Sequence, residues 1–409
     1  MYRQAYNFGR ILKPAVSSNP TQLTRGWQNF VLSDTMAMIE KQCEKYCPVP
    51  RVPPRKVAVV GAGSDVGRIA CLFLKQQKVI RILAMYDDIP ERNVLGVATD
   101  IAHIDTSTDI EAYQGRMFLK DALHDSDVVL ICGGAYLMPP CCNMLDRELF
   151  FQNMHHVRTV TLAVAQFCPQ AIIAVQTPPV DCNFALCLHT LKMARAYDKR
   201  RVLGMNAINS MRANQLFCAI TGADPSKSSL PVVCGTGRCT RVPVFSAGKS
   251  GNFPQVMSEI SDCLTRLVRE ADEIICKVKS NNEQGHLSIG FSTARFVVNL
   301  MKGIFETPTF IDSALVEQGD PKKCFGMKYC ATPVTVGKGG IVEYAIPTLN
   351  DSEMKLLEAS KCDLEDMLNM GRCYACGDEY YLNPCKITCP CPIDCKVCLT
   401  NSENGASNS

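Results

Sequence analysis

The stretch of sequence that decides the fold is Lys56-Val-Ala-Val-Val-Gly-Ala-Gly-Ser-Asp-Val-Gly67. Its first five residues are mostly β-branched or small, which is typical of a parallel strand buried on both faces. The glycine-rich turn follows at once, and residues 68–76 then show the apolar periodicity of a helix. This order predicts a strand, a glycine turn and a helix.

A second apolar run ends at Asp87, about twenty residues beyond the last glycine of the turn. In such a unit the glycines let backbone amides approach a pyrophosphate, and the acid holds ribose hydroxyls. Gly61, Gly63, Gly67 and Asp87 are therefore predicted to bind a dinucleotide. The alternative is a tight turn that only packs the helix on the strand.

Two further apolar runs, 127–131 and 171–175, alternate with helical stretches, which predicts a Rossmann-type, doubly wound parallel sheet. The pattern changes beyond residue 215. Long helices over 253–279 and 287–303, with a strand over 329–336, indicate a mixed α/β second domain. The helical pattern fades beyond Asp366.

Composition narrows the class of protein. With 409 residues, 47% hydrophobic and 20% charged, the chain is typical of a globular protein of two or three units. A net charge of +3 does not favour nucleic acid, and no apolar run is long enough for a membrane span. The first 33 residues contain no acid but several arginines, which predicts a mitochondrial transit peptide; a disordered basic tail is the alternative.

The ordered segments of the chain resemble the mitochondrial type of malate dehydrogenase, within the lactate/malate dehydrogenase superfamily. The resemblance covers about residues 55–368 and rests on segments in the order of that family. These are the glycine turn, Tyr86-Asp87, Thr99–Ile104, Leu149-Phe-Phe-Gln-Asn153, Met211–Asn214, Leu287-Ser288, Ala294–Phe296 and Thr332–Lys338.

The resemblance implies the domain organisation. Residues 1–54 are expected to be a transit peptide and proline-rich linker, and 55–207 an NAD-binding Rossmann domain. Residues 208–368 are expected to be a mixed α/β lactate/malate dehydrogenase C-terminal domain, and 369–409 a cysteine-rich tail. It also implies NAD as cofactor with Asn153 among its contacts, a homodimer and the mitochondrial matrix.

The family's reaction is hydride transfer between NAD and the C2 carbon of malate. It requires a histidine base, an aspartate that orients the histidine, and an amide that holds the hydroxyl. By the resemblance these positions are Thr236, Asn209 and Pro178, so no catalytic group is intact. No histidine lies between His189 and His286.

Two substrate carboxylates also require fixed cations, for which arginine is best suited. Arg212 matches one of the family's arginines, and Arg147 matches a second only if displaced by one residue, because Asp146 stands in its register. The third arginine is absent from the loop over residues 137–147.

Three functions remain open. The first is a catalytically impaired, structural member of the family, and the second is an active malate dehydrogenase of the tricarboxylic acid cycle with His286 as substitute base. The third is a subunit that binds NAD without turnover and pairs, as a heterodimer, with a catalytic relative. A dicarboxylate is the expected substrate if there is one.

The C-terminal tail holds seven of the 24 cysteines. Cys373, Cys376, Cys395 and Cys398 form two C-x-x-C pairs whose spacing suits a four-thiolate zinc site. Disulfides, cross-links to neighbouring molecules and a tail without any ligand are the alternatives.

Overall fold

A computed structural model describes residues 55–135, 146–248, 258–280 and 284–376. The eleven strands are β1 Lys56–Val60, β2 Ile82–Asp87, β3 Asp109–Gln114, β4 Val128–Ile131, β5 Ile172–Val175, β6 Val202–Met205, β7 Val232–Cys234, β8 Arg241–Pro243, β9 Thr309–Glu317, β10 Tyr329–Gly337 and β11 Gly340–Tyr344. The nine α-helices described are α1 Asp65–Leu74, α2 Val94–Ala102, α3 Leu119–Leu123, α4 Asp146–Phe167, α5 Val180–Met193, α6 Ala207–Thr221, α7 Ser258–Val278, α8 His286–Phe305 and α9 Asp351–Cys376.

The N-terminal half of the sheet is parallel and doubly wound, as the sequence predicts. Its strand order is β3-β2-β1-β4-β5-β6, so the chain reverses direction across the sheet between β1 and β4. All five residues of β1 are buried, because helices cover both faces of the strand. Val57 pairs with Leu83 on one side and with Val128 on the other. The carboxyl end of β1 therefore lies at the switch point, where such sheets bind ligands.

The same sheet continues into an antiparallel half. Strand β6 pairs antiparallel with β9, with Gly204 opposite Leu315, and the order then runs β9-β10-β7-β8 with β11 on β10. Helices α7 and α8 lie within two residues of the predicted helices wherever the structure describes them. The predicted fold class, a Rossmann sheet followed by a mixed α/β unit, is confirmed.

Strand β3 is missing from the sequence prediction. Its residues Asp109–Gln114 alternate between buried and half-buried positions at the edge of the sheet. Such an edge strand has no continuous apolar run, so apolar runs alone did not reveal it.

The prediction that helical structure fades beyond Asp366 is wrong, because α9 continues to Cys376. Its last turns are held by tertiary contacts. Tyr374 is 1% exposed, and its ring packs edge-on against Phe150 at 6.2 Å between centroids. The Tyr374 hydroxyl lies 2.6 Å from Nδ1 of His155. These contacts join α9 to α4 and are not visible in the periodicity of the sequence.

Several predictions lie outside the described residues. They concern the transit peptide and linker over 1–54 and the tail beyond residue 376, including Cys395 and Cys398. Within the described ranges, no helix has the length and apolarity needed to cross a membrane.

Candidate active site

The glycine turn is built by close packing of backbone on backbone. Gly61 has φ +94°, and a Cβ there would lie 2.2 Å from the Cα of Gly133, which follows β4. A Cβ on Gly67 would lie 2.1 Å from the carbonyl oxygen of Gly61. No side chain fits at either position, so the turn needs both glycines whether or not a ligand binds.

The predicted ribose acceptor, Asp87, lies at the end of β2 and is 1% exposed. Its Oδ2 accepts a hydrogen bond from the Gly63 N–H at 3.1 Å, and its Oδ1 accepts one from the Ile89 N–H at 3.1 Å. Arg92 Nη1 lies 3.6 Å from Oδ2. The glycine turn and the acid thus meet as predicted, but the carboxylate is already engaged by the chain itself.

The N-terminus of α1 also carries its own partners. Ser64 caps the helix, its Oγ accepting the Gly67 N–H at 3.0 Å. The next residue, Asp65, places a carboxylate in the first turn, 3.4 Å from Arg68 Nη2 and 3.6 Å from Nδ1 of His286. The sequence hypothesis gave His286 the role of substitute base, whereas the structure pairs it with Asp65.

Asn153, predicted to contact the cofactor, positions two loops. Its Oδ1 accepts the Ala135 N–H at 2.6 Å, and its Nδ2 donates to the Ala135 carbonyl at 2.7 Å and to the Pro178 carbonyl at 2.6 Å. The side chain is fully buried. It therefore ties the segment after β4 to the cis Pro178-Pro179 turn that precedes α5.

Thr236, which the resemblance places at the family's histidine position, is held by a buried carboxylate that the sequence analysis missed. Oδ1 of Asp181 accepts the Thr236 N–H at 2.9 Å and the Thr236 hydroxyl at 2.7 Å. Oδ2 accepts the Gly237 N–H at 3.1 Å and the Thr240 hydroxyl at 2.8 Å. Asp181 is 1% exposed, at the start of α5. The four hydrogen bonds fix the loop after β7. In one of them the Thr236 hydroxyl already donates to Asp181.

Asn209 lies beside this loop, as the resemblance predicts for the orienting residue, but it is an amide. Its Nδ2 donates to Asn206 Oδ1 at 2.6 Å and to the Thr236 carbonyl at 3.0 Å. Its Oδ1 accepts from Arg241 Nη1 at 2.7 Å. A neutral amide satisfied in this way can neither accept a proton nor stabilise an imidazolium.

Arg212, which the resemblance predicts to bind substrate, is paired within the chain. Its Nη2 donates to Asp272 Oδ1 at 2.7 Å, and Arg241 Nη2 reaches the other oxygen of Asp272 at 3.2 Å. Desolvation raises the pKa of Asp272, but the two guanidinium groups outweigh it and hold this pKa well below its ordinary value. Nη1 of Arg212 is buried and has no hydrogen-bond partner among the described residues.

Arg147, which the resemblance gives as a displaced second clamp, lies in the first turn of α4. Its guanidinium lies 5.5 Å over the ring of Phe151, one turn further along α4. Asp146, the first residue of α4, has its pKa raised by desolvation and then by the nearby Asp181. The position at which the resemblance expects an arginine therefore carries a carboxyl group, that of Asp146, near the Asp181 carboxylate.

The residues missed by the sequence analysis are Asp181, Arg241, Asp272, Arg92 and Asp65. One of them, Asp181, could have been found from the sequence, because it interrupts an otherwise mostly apolar stretch at the start of α5. A charged side chain in such a stretch is buried only when it is hydrogen-bonded.

For the zinc hypothesis, the structure describes only Cys373 and Cys376, in the last turn of α9, half-buried and exposed respectively. Over the described ranges, no group of three or more His, Cys, Asp or Glu side chains could hold a metal ion. The tail site stays a prediction.

The fold is that of a two-part α/β protein whose glycine turn and Asp87 meet at the switch point of the parallel half, where such sheets bind ligands. Residues 55–204 match the lactate/malate dehydrogenase NAD binding domain, and residues 207–373 match the alpha/beta C-terminal domain of the same family. The chain belongs to the lactate/malate dehydrogenase family.

Curated relatives agree with this assignment, and a solved structure agrees with the fold. The chain is 31% identical to the mitochondrial malate dehydrogenase of Caenorhabditis elegans over 79% of this chain and 92% of the relative. It is 29% identical to the human mitochondrial malate dehydrogenase over 77% and 90%, respectively. Among structures, the lactate dehydrogenase from Eimeria maxima with NADH and oxamate matches with a TM-score of 0.67 at 20% identity, covering 82% of this chain and 98% of that one.

Proposed function

We propose that this chain is a member of the lactate/malate dehydrogenase family that has lost malate dehydrogenase turnover and serves a structural or NAD-binding role in mitochondria. The observation that carries the proposal is the closed network around Thr236. The Thr236 hydroxyl donates a hydrogen bond to Asp181, and the Asn209 amide donates one to the Thr236 carbonyl. The groups that would have to move a proton are thus neutral and mutually satisfied.

The expected loss of rate is large. A positioned general base contributes roughly 10²–10⁴-fold to catalysis. Each lost hydrogen bond to a charged group removes a further 1.5–3 kcal/mol, roughly, of substrate or transition-state stabilisation. Arg212 is retained but neutralised by Asp272, and Asp181 adds a buried carboxylate that would repel a dicarboxylate. Such losses do not add simply, but they act in one direction.

Some capacity to bind a carboxylate remains. The unpaired, buried Nη1 of Arg212 can donate to a carboxylate without displacing Asp272 from Nη2. A buried guanidinium N–H without a partner is costly, which favours a bound anion at this point. The role proposed is therefore binding without chemistry.

The test is an oxaloacetate reduction assay that follows NADH absorbance, with the purified chain beside an active member of the family. We expect a rate at least about a thousandfold lower, from the general-base magnitude. A rate within tenfold of the active relative would overturn the proposal. In that case the variant His286→Ala decides whether His286 supplies the base, since it should abolish the activity.

The proposed location is supported by the relatives, several of which are mitochondrial malate dehydrogenases, and the proposed assembly follows from the family resemblance. We place the chain in the mitochondrial matrix, as a homodimer or as a heterodimer with a catalytic relative. Fusion of residues 1–54 to a fluorescent reporter should direct the reporter to the matrix. Light scattering on the purified chain should give twice the mass of 45.0 kDa. A cytosolic reporter would contradict the location, and a monomeric mass would contradict the homodimer and leave the heterodimer.

A further inference from the structure

The loop between β2 and α2 lies directly on the glycine turn. A Cβ on Gly63 would be 2.8 Å from the Cβ of Arg92 and 3.0 Å from the Arg92 carbonyl oxygen. At this position glycine therefore makes room for the chain's own loop. The space above the turn, where a dinucleotide approaches the helix N-terminus in this fold, is shared with residue 92.

The side chain of Arg92 then crosses the cleft. Its Nη1 is 3.6 Å from Asp87 Oδ2 at the end of β2, and its Nη2 donates to the Gly134 carbonyl at 2.7 Å, beyond the end of β4. Since β2 and β4 flank β1, the guanidinium spans the switch point from one neighbouring strand to the other. Its side chain is 22% exposed, and the carboxylate beneath it is 1% exposed.

A second side chain narrows the same region. The Nε2 atom of His156, on α4, would lie 2.6 Å from a Cβ on Gly133, and its Nδ1 is 3.8 Å from Asp88 Oδ1. Nε2 is buried and has no hydrogen-bond partner within the described ranges. Burial lowers the pKa of His156, and the nearby Asp88 opposes this. The imidazole thus forms a close wall of the cleft beside the path of Arg92.

We infer that Arg92 closes the dinucleotide cleft, so that NAD binds only when Arg92 leaves both Asp87 and Gly134. A dinucleotide needs the Asp87 carboxylate for its ribose hydroxyls and the passage between β2 and β4 for its pyrophosphate. Arg92 occupies both. The inference rests on the family's nucleotide fold and goes beyond the loss of turnover, because it concerns binding and not proton transfer.

The direction in which NAD affinity changes when Arg92 is removed distinguishes closure of the cleft from simple electrostatic attraction of the ligand. NAD carries a negatively charged pyrophosphate, so removal of a nearby arginine should weaken binding if the arginine only attracts the ligand. If Arg92 closes the cleft, its removal should strengthen binding. If Arg92 must give up one charged hydrogen bond before NAD binds, its removal should raise the affinity for NAD about tenfold to hundredfold.

The experiment is a calorimetric titration of NAD into the full chain and into Arg92→Ala, with Arg116→Ala as matched control. Arg116 lies at the same end of the sheet, with Nε 3.7 Å from Asp88 Oδ2, but its side chain is 91% exposed. We expect Arg92→Ala to bind NAD at least about tenfold more tightly than the unmodified chain. Arg116→Ala should bind as the unmodified chain does.

Equal or weaker binding by Arg92→Ala overturns the inference, as does equal tightening in Arg116→Ala. Absence of binding in every variant also overturns it, since Arg92 would then not be what prevents binding. If Arg92→Ala is unstable by circular dichroism, Arg92→Gln keeps much of the side chain without the charge and should show the same direction. Oxaloacetate reduction measured on Arg92→Ala should stay at the background rate. Turnover by the unmodified chain would refute the proposed function and leave the affinity comparison intact.

Discussion

The substitution Asp181→Asn tests whether the buried carboxylate holds the loop that replaced the proton relay. Each carboxylate oxygen accepts one backbone N–H and one hydroxyl, from Thr236 on one side and from Gly237 and Thr240 on the other. An asparagine offers only one acceptor oxygen. In either orientation, one backbone N–H therefore faces the donor NH₂ group.

The magnitude follows from these four bonds. Leaving one buried N–H unsatisfied costs about 1–3 kcal/mol, and a bond to a charged group contributes about 1.5–3 kcal/mol. A hydroxyl can rotate to accept from the new NH₂ group, which recovers part of the loss. We expect Asp181→Asn to lower the free energy of unfolding by about 2–4 kcal/mol.

The assay is guanidinium unfolding followed by far-UV circular dichroism, with Asp224→Asn as control. Asp224 accepts the Ser226 N–H at 2.9 Å and the Ser226 hydroxyl at 2.7 Å, but it lies on the surface, where water can replace it. The free energy of unfolding of Asp224→Asn should therefore equal that of the unmodified chain. If Asp181→Asn unfolds within about 0.5 kcal/mol of the unmodified chain, the range of ordinary surface substitutions, the carboxylate does not anchor the loop.

Three further outcomes are expected. Thr236→His alone should leave oxaloacetate reduction at least about a hundredfold below an active relative, because Asn209 cannot orient the imidazole; recovery of a normal rate would show that the other changes are tolerated. Since the folded-state pKa of Asp272 is depressed, its ion pairs stabilise the fold above about pH 4 and are lost as the pH falls below that. Unfolding of Asp272→Asn should depend less on pH in this acid range than unfolding of the unmodified chain, and parallel pH profiles would contradict this. Tyr374→Phe should cost about 1 kcal/mol for the hydroxyl bond to His155, and Tyr374→Ala about 3–5 kcal/mol for the buried ring. Equal stability of both Tyr374 variants in thermal melts would show that the end of α9 does not pack as described.

The parallel half of the fold could be predicted from the amino-acid sequence, and the resemblance predicted which catalytic groups are replaced. Buried parallel strands are continuous apolar runs, so β1, β4 and β5 could be located from the apolar runs in the sequence. Thr236 and Asn209 were assigned to the catalytic positions through the family resemblance. The residue types alone then predict a lost base and a lost orienting carboxylate, because neither a hydroxyl nor an amide is basic near neutral pH.

The hydrogen-bond network around Thr236 and Asn209 could be seen only in the tertiary structure. Asp181 and Thr236 are 55 positions apart in the chain. No local sequence pattern predicts that the Asp181 carboxylate accepts four hydrogen bonds from the loop after β7. Arg92 ends a three-residue 3₁₀ turn, Pro90–Arg92, which is too short for a sequence periodicity to indicate where its side chain points, so its reach to Gly134 could not be anticipated. The last turns of α9 are held by Tyr374 against α4. Long-range contacts of this kind depend on how the elements pack, and packing is a property of the assembled fold.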